Sequence, residues 1–416
     1  MKKGLLPILL LIVAIMPCIS QVSGAYVDNI KSLRLEVNGI WNSHPVMPMG
    51  GNNRVDISFD DLQHNYIRYT YHIIHCNADW QKSDLLESEY LEGFNDSPID
   101  DYKSSMNTTM LYNHYKFSLP NENVKLLVSG NYMVEIYEDG YDEPVGCVCF
   151  SVLENKVGLT MDILSNTDID AYKSHQQLEF SINYQSYNVN RPEEELYPVV
   201  YQNRHWDTHV EGLRPSYVRS NELIYNHNRS LIFDGGNEYR RFEILDEYVP
   251  TMHVENMSYH DPYYHATIME DLPRFNYIYD QDQNGRYYVR NSDNYENATE
   301  SDYFYTHFKL KSSKLEGGDV YLNGDLTYDR YIDEYKMEYD EAEGCYTIYL
   351  PLKQGSYNYQ YVFLPDDGGN VSIIDTEGSF YQTENEYSIY VYHRPFGERY
   401  DHLVGFGTIS NFLGTR

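Results

Sequence analysis

The part of the chain nearest to a metal-binding signature is Asp280-Gln281-Asp282-Gln283-Asn284-Gly285. Oxygen-bearing side chains at positions 1, 3 and 5 with glycine at 6 open a calcium loop of the EF-hand kind, since a hard cation takes carboxylate and amide oxygens and the glycine makes the sharp turn. Position 12, where such a loop needs a bidentate glutamate, is Asn291. The flanks, Tyr277-Ile278-Tyr279 and Tyr287-Tyr288-Val289, are strand-forming, and Asn284-Gly285 is a preferred two-residue turn, so the stretch reads as a hairpin. His72, His75 and Cys76 carry zinc-type donors, but on a strand His72 and Cys76 face one way and His75 the other, which leaves no local three-ligand set. His205 and His209 lack the H-E-x-x-H pattern, and there is no G-x-S-x-G elbow, phosphate loop or dinucleotide fingerprint. Carboxylates are too abundant to define a glycosidase pair by position. The chain is expected to be non-catalytic, with no metal, cofactor or small-molecule substrate.

Thiol chemistry is also sparse. Cys18 lies just after the N-terminal apolar run, and Cys76, Cys147, Cys149 and Cys345 lie well beyond it. Cys147 and Cys149 flank Val148, so on one strand they point the same way but sit too far apart to bridge. Inert cysteines are the first reading, and a bridge from Cys76 to Cys147 or Cys149 is the second.

The elements that would position a functional surface centre on Tyr71–Pro120. A strand of period two, Tyr66 to Cys76, places Ile67, Tyr69, Tyr71 and Ile73 on one face. Asn77-Ala78-Asp79-Trp80 ends it, with Asn77 and Asp79 as turn-formers and caps. A long excursion through Leu85–Phe94 and Asp100–Tyr102 follows before alternation resumes at Tyr112–Leu119. Long excursions between strands commonly carry function. Trp80, Tyr90 and Phe94 are its candidate partner-binding residues, because exposed aromatics dominate interface energetics; the competing reading pins them onto their own sandwich.

The block from His75 to Asn121, with His75-Cys76-Asn77-Ala78-Asp79-Trp80-Gln81, Ser88-Glu89-Tyr90-Leu91 and Gly93-Phe94-Asn95, resembles the first domain of type IX secretion system plug proteins. His393-Arg394-Pro395-Phe396-Gly397-Glu398-Arg399-Tyr400-Asp401 and Leu403-Val404-Gly405-Phe406 are similar to the same family, so the likeness runs through the chain. The resemblance implies a non-enzymatic periplasmic subunit at the inner face of the outer membrane. It implies one partner, the outer-membrane barrel of the type IX translocon, whose periplasmic opening the subunit closes when no substrate is engaged.

Composition agrees with that class. Lys2 and Lys3 precede an apolar run, Leu5–Met16, that is too short to span a bilayer, followed by small residues. This is the pattern of a signal peptide, residues 1–24, cleaved after Ser20 or Gly24. A lipoprotein reading through Cys18 is opposed by Met16-Pro17 before it. The formal net charge of −32 becomes two units more negative without Lys2 and Lys3. Such a charge disfavours nucleic acid and anionic lipid, which bind Lys/Arg patches. With 45 tyrosines against 3 tryptophans, the aromatic content suits strands and half-buried surfaces.

The expected fold is all-β, in tandem immunoglobulin-like or early-set β-sandwiches: residues 25–153, 154–300 and 301–394, with a C-terminal tail at 395–416. The third is marked by Val320-Tyr321-Leu322-Asn323-Gly324, Glu343-Gly344-Cys345-Tyr346 and Gly355-Ser356-Tyr357-Asn358-Tyr359-Gln360-Tyr361, which resemble early-set sandwiches including glycogen-binding modules. An exported carbohydrate-binding protein is therefore the alternative function, although this domain holds no tryptophan to stack a sugar.

Overall fold

The structure is a computed structural model that describes residues 23–293 and 296–411. The expected signal peptide lies outside the described residues as far as residue 22, whereas Gly24–Ala25 forms a short edge strand against Cys147 and Gly146. Sheets build every layer, and the α-helical segments among the described residues are single turns such as Glu87–Tyr90 and Pro192–Glu195. The protein is all-β, as its alternating patterns predict.

In the first sandwich, Tyr69–Cys76 and Pro144–Leu153 flank Gly130–Glu138 in antiparallel register, with Val46–Pro48 added in parallel to Pro144–Leu153. The facing sheet runs Ile30–Val37, Val55–Asp61, Asn113–Leu119 and Tyr102–Ser104. The predicted alternation holds: Tyr69, Tyr71 and Ile73 are buried in the interior, where Phe59 stacks on Tyr115 at 5.2 Å and meets Tyr69 edge-on. Cys76 takes the opposite face and joins Trp80, Cys147 and Cys149 in a small outer cluster. All four described cysteines are free and buried. Gly130–Glu138 lies between Cys76 and the strand of Cys147 and Cys149, so two strand spacings, roughly 9–10 Å, separate them, beyond disulfide reach.

Gly158–Leu164, His175–Asn183, Glu222–Tyr225 and Tyr217–Arg219 form one sheet of the next sandwich. The sheet facing it joins Leu196–Gln202 to Glu386–His393 and His402–Ser410, strands from the far end of the chain. Leu178, Phe180 and Val200 thus share a core with Ile389, Val391 and Val404. Between these pieces, Arg240–Ile244, Tyr287–Val289, Gly318–Asn323 and Gly355–Pro365 form one sheet. Val254–His260, Tyr263–Ile268, Tyr303–Leu310, Cys345–Lys353 and Glu338–Asp340 form another, packed on a core of Phe242, Phe308, Tyr357 and Tyr359.

The expected boundaries at 300 and 394 cut across these pairings, because alternation marks a strand's faces but not its neighbour. We propose that the chain divides as the pairings do. A first unit ends near residue 153, a second unit is discontinuous, and a third unit, about 236–380, is inserted into the second. The two ends of the insertion meet at Gly235, where an added Cβ would lie 2.1 Å from the Phe380 carbonyl oxygen. Asn385 Nδ2 closes the crossing by donating to the Gly235 carbonyl at 2.7 Å.

The calcium-like stretch resolves into a turn. Asn284 and Gly285 adopt φ of 51° and 87°, as expected, but only the Tyr287–Val289 arm is a strand, and it pairs with Gly355–Pro365 rather than with Tyr277–Tyr279. The carboxylates serve structure: Asp280 pairs with Arg241 at 2.6 Å, and Asp282 accepts the amides of Tyr239 and Asn284.

Candidate docking surface

The excursion after Tyr69–Cys76 is built as a rigid platform. Asn77-Ala78-Asp79-Trp80 closes a turn in which the Trp80 amide donates to the Asn77 carbonyl at 3.0 Å and Trp80 takes φ 61°. Asp79 Oδ1 accepts from the Gln81 amide, so it caps this turn and not the later helical one. Glu87–Tyr90 follows as one helical turn, where Glu89 accepts the Leu86 amide at 2.7 Å. Leu91–Gly93 then pairs with Val124–Leu126.

The loop after Glu386–His393 holds that platform from the side. Asp401 Oδ2 accepts the Ala78 amide at 2.9 Å, and Asp401 Oδ1 pairs with Arg394 Nε at 3.0 Å. Arg394 Nη2 donates to Asn77 Oδ1 at 2.8 Å, while Arg399 donates to the Asp84 carbonyl and pairs with Glu89. The Tyr400 ring lies 5.3 Å from that of His75. His75 Nε2 donates to the Ser129 carbonyl at 3.0 Å, and its Nδ1 accepts from Ser83 at 2.8 Å. Burial pushes its pKa down to about 4 against the pull of that Ser129 bond, so the ring is a neutral structural part. The two sequence blocks that share one family resemblance therefore meet in space, and most of their unusual residues are spent on that junction.

The three candidate residues separate. Tyr90 is 3% exposed and donates to the Ile73 carbonyl at 3.2 Å, inside the first unit's core. Trp80 is 8% exposed and covers the outer cluster with Cys76, Cys147 and Cys149. Both side chains pack onto their own sandwich, as the competing reading of the sequence has it, because the excursion folds back over its own sheet. Phe94, at 82% exposure, is the one presented to solvent. Sequence reasoning missed two companions: Leu86, 67% exposed at the entry to the helical turn, and Phe396, 89% exposed in the 394–401 loop. The signal was an apolar residue stranded in a polar run, as in Arg394-Pro395-Phe396-Gly397-Glu398-Arg399. Arg399 clips the 394–401 loop to the excursion through the Asp84 carbonyl and Glu89. Asp84, Glu87, Glu92, Asp96 and Glu398 are exposed in the same two stretches, with Lys82 and Arg399 beside them, and Glu92 and Asp96 are paired with Lys125 and His72.

Residues 30–154, the first unit with its excursion, match the family model of the type 9 secretion system plug protein first domain. This stretch of the chain belongs to the type 9 secretion system plug protein first-domain family. That family is one of secretion components, not of enzymes. The fold is similar to that of a crystal structure of a hypothetical protein from Parabacteroides merdae ATCC 43184, at 42% identity and TM-score 0.93 over 95% of this chain and 100% of that one. No functionally curated protein matches the chain. Among the described residues, no helix is long and apolar enough to cross a membrane.

Proposed function

We propose that this plug-family protein works in the periplasm, where it docks on the outer-membrane barrel of the type IX translocon and seals its periplasmic opening while no substrate is engaged. The observation that carries the reading is the family match over residues 30–154, the unit that presents Phe94 and Leu86 on a fixed platform. A seal must be tight yet reversible. Exposed apolar points supply residence, and carboxylates in the same two stretches speed encounter with a basic rim. The platform needs no rearrangement to dock, which limits the entropic cost of binding.

The test is pore leakage. A deletion strain should admit a large, normally excluded dye, and deleting the barrel as well should abolish the entry. Entry that is unchanged by the deletion, or that rises equally without the barrel, rules out this protein as the seal. Tagged protein purified from outer membranes should also bring the barrel with it.

A further inference from the structure

Four neighbouring strands, Val254–His260, Tyr263–Ile268, Tyr303–Leu310 and Cys345–Lys353, carry a run of aromatic rings on the outer face of their sheet. Register sets Ser258, His265, Tyr305 and Pro351 in one row across the strands, and Asn256, Thr267, His307 and Tyr349 in the next. Ala266, Ile268, Phe304 and Phe308 point the other way and fill the core. The two rows line a groove of about 1,240 Å³, which Asp28, Lys31, Leu62 and Met110 of the first unit also line. Strands about 4.8 Å apart make this floor roughly 14 Å across. The groove exceeds the roughly 300–1,000 Å³ that one drug-sized ligand fills, so its size suits an oligomer.

The rings hold one another in place. His265 stacks on Tyr305 at 5.4 Å and on His307 at 5.2 Å, and His307 meets Tyr349 at 5.6 Å. His265 Nδ1 and His307 Nε2 share a hydrogen bond of 2.9 Å, which leaves a free acceptor on the donating ring and a free N–H on the accepting one. Tyr349 ends the run with 62% of its surface exposed. The backbones of the two central strands are paired on both sides, so a ligand on this face meets side chains and cannot add as a strand.

The side chains left for a ligand are neutral. The three lysines that line the groove are held in ion pairs, Lys31 with Glu334 at 2.7 Å, Lys309 with Glu343 at 2.6 Å and Lys336 with Asp319 at 2.9 Å. Asp28, Asp333 and Glu338 also line it and repel anions. Burial, and after it the neighbouring imidazoles, lower the pKa of His265 and His307, so both rings are uncharged at neutral pH. The side chains of Asn256, Ser258, Thr267, Thr347 and Tyr349 have no hydrogen-bond partner among the described residues, and each can both donate and accept. A sugar matches this set, because its hydroxyls also donate and accept while its C–H face packs on an aromatic ring. We propose that the groove binds a neutral oligosaccharide, laid across the strands with one sugar on Tyr349 and others bonded by Asn256, Ser258, Thr267 and the histidine pair. The site uses no residue of the Phe94 platform, so glycan binding and barrel docking can be lost separately.

The experiment screens the whole mature chain on an array of neutral glucan, mannan, galactan, xylan and chitin oligosaccharides. Oligogalacturonate is the anionic comparison and a proline-rich peptide the protein one. The best neutral ligand, titrated by calorimetry, should bind one equivalent with a Kd below 1 mM. Tyr349→Ala should weaken it at least tenfold, and Tyr349→Phe, which keeps the ring, less than threefold. Tyr217→Ala removes a similarly exposed ring from another sheet and should change nothing. Melting temperatures establish that each variant keeps its sheet. Failure of every neutral glycan to bind overturns the proposal, as does tighter binding of oligogalacturonate or of the peptide. So does binding that survives in the Tyr349→Ala/His307→Ala double variant, which would place the glycan elsewhere.

Discussion

The Asp401 carboxylate accepts the backbone amide of Ala78 at 2.9 Å across 323 residues of chain. Asp401 is 3% exposed, and its other oxygen faces Arg394. Replacing it with alanine leaves a buried N–H without an acceptor and frees a guanidinium that is itself partly exposed. An unsatisfied buried donor costs about 1–3 kcal/mol. Asp401→Ala should therefore lose about 2–3 kcal/mol in urea unfolding, and Asp401→Asn less, because its amide oxygen can still accept. Equal loss in both variants would mean that the charge on Arg394, and not the amide, is what Asp401 serves.

Phe94 and Tyr90 should part company on substitution. Phe94→Ser, Phe396→Ser and Leu86→Ser remove exposed side chains, and each should shift stability by no more than about 0.5 kcal/mol. Removing a true interface anchor costs about 2 kcal/mol or more in binding, so the triple variant should bring down at least tenfold less barrel. Tyr90→Ala instead empties a core position and should cost about 3–5 kcal/mol of stability. A triple variant that melts normally and still captures the barrel at full strength would sink the docking surface.

These two pairs also mark what the sequence could and could not disclose. Tyr69, Tyr71 and Ile73 fell on the buried face because a pleat has period two, and the all-β class followed from many such runs. Tyr90 and Phe94 lie where no period operates, on a turn of helix and just past a short strand, so nothing local says which ring faces inward. The contacts of Ala78 with Asp401, and of Leu196–Gln202 with Glu386–His393, are non-local. Pairing energy of that kind resides in side chains distant in sequence and leaves no mark on either strand's own pattern. That is also why the proposed division into units could not be read from alternation alone. The His265–His307 contact needed a parallel pairing to bring it about, and the sequence spacing of 42 residues carries no trace of it.

Glu238 sets a pH dependence of defined sign. Burial raises its pKa to about 7, although Tyr277 donates to it at 2.7 Å, and burial also raises the pKa of nearby Asp282 to about 6. The folded state holds these protons more tightly than the unfolded chain does. Their contribution to stability is complete below pH 4 and is lost as pH rises through 6 to 7, on the order of 2–3 kcal/mol for each. His75, lowered to about 4, acts in the opposite sense between about pH 4 and 6.5, so the observed slope is a sum. The difference between the unaltered protein and Glu238→Gln removes that background. The variant should gain stability relative to the unaltered protein as pH goes from 5 to 8. A constant difference across that range would show that Glu238 does not titrate there.

One of the ties between the first unit and the proposed inserted unit is an ion pair with almost no solvent. Asp60 is 0% exposed and receives Lys353 Nζ at 2.7 Å, Tyr303 Oη at 2.6 Å and His114 Nδ1 at 2.6 Å. Burial would raise its pKa, but Lys353 and His114 outweigh that and hold it at about 2. Its share of stability is therefore present above pH 4 and is lost as pH falls through 2. Lys353 also donates to the Ala298 carbonyl at 2.7 Å and lies 4.1 Å from the centre of the Tyr112 ring. Removing one partner of such a pair leaves an uncompensated buried charge, at a cost of about 3–5 kcal/mol. Lys353→Met should pay that cost, whereas Asp60→Asn/Lys353→Met should recover most of it, because no bare charge remains and Tyr303 and His114 can still bond the amide. Thermal and urea unfolding of the four proteins close the cycle. If the two single losses simply add in the double variant, the charges do not act as a pair and the junction is held by its aromatic packing instead.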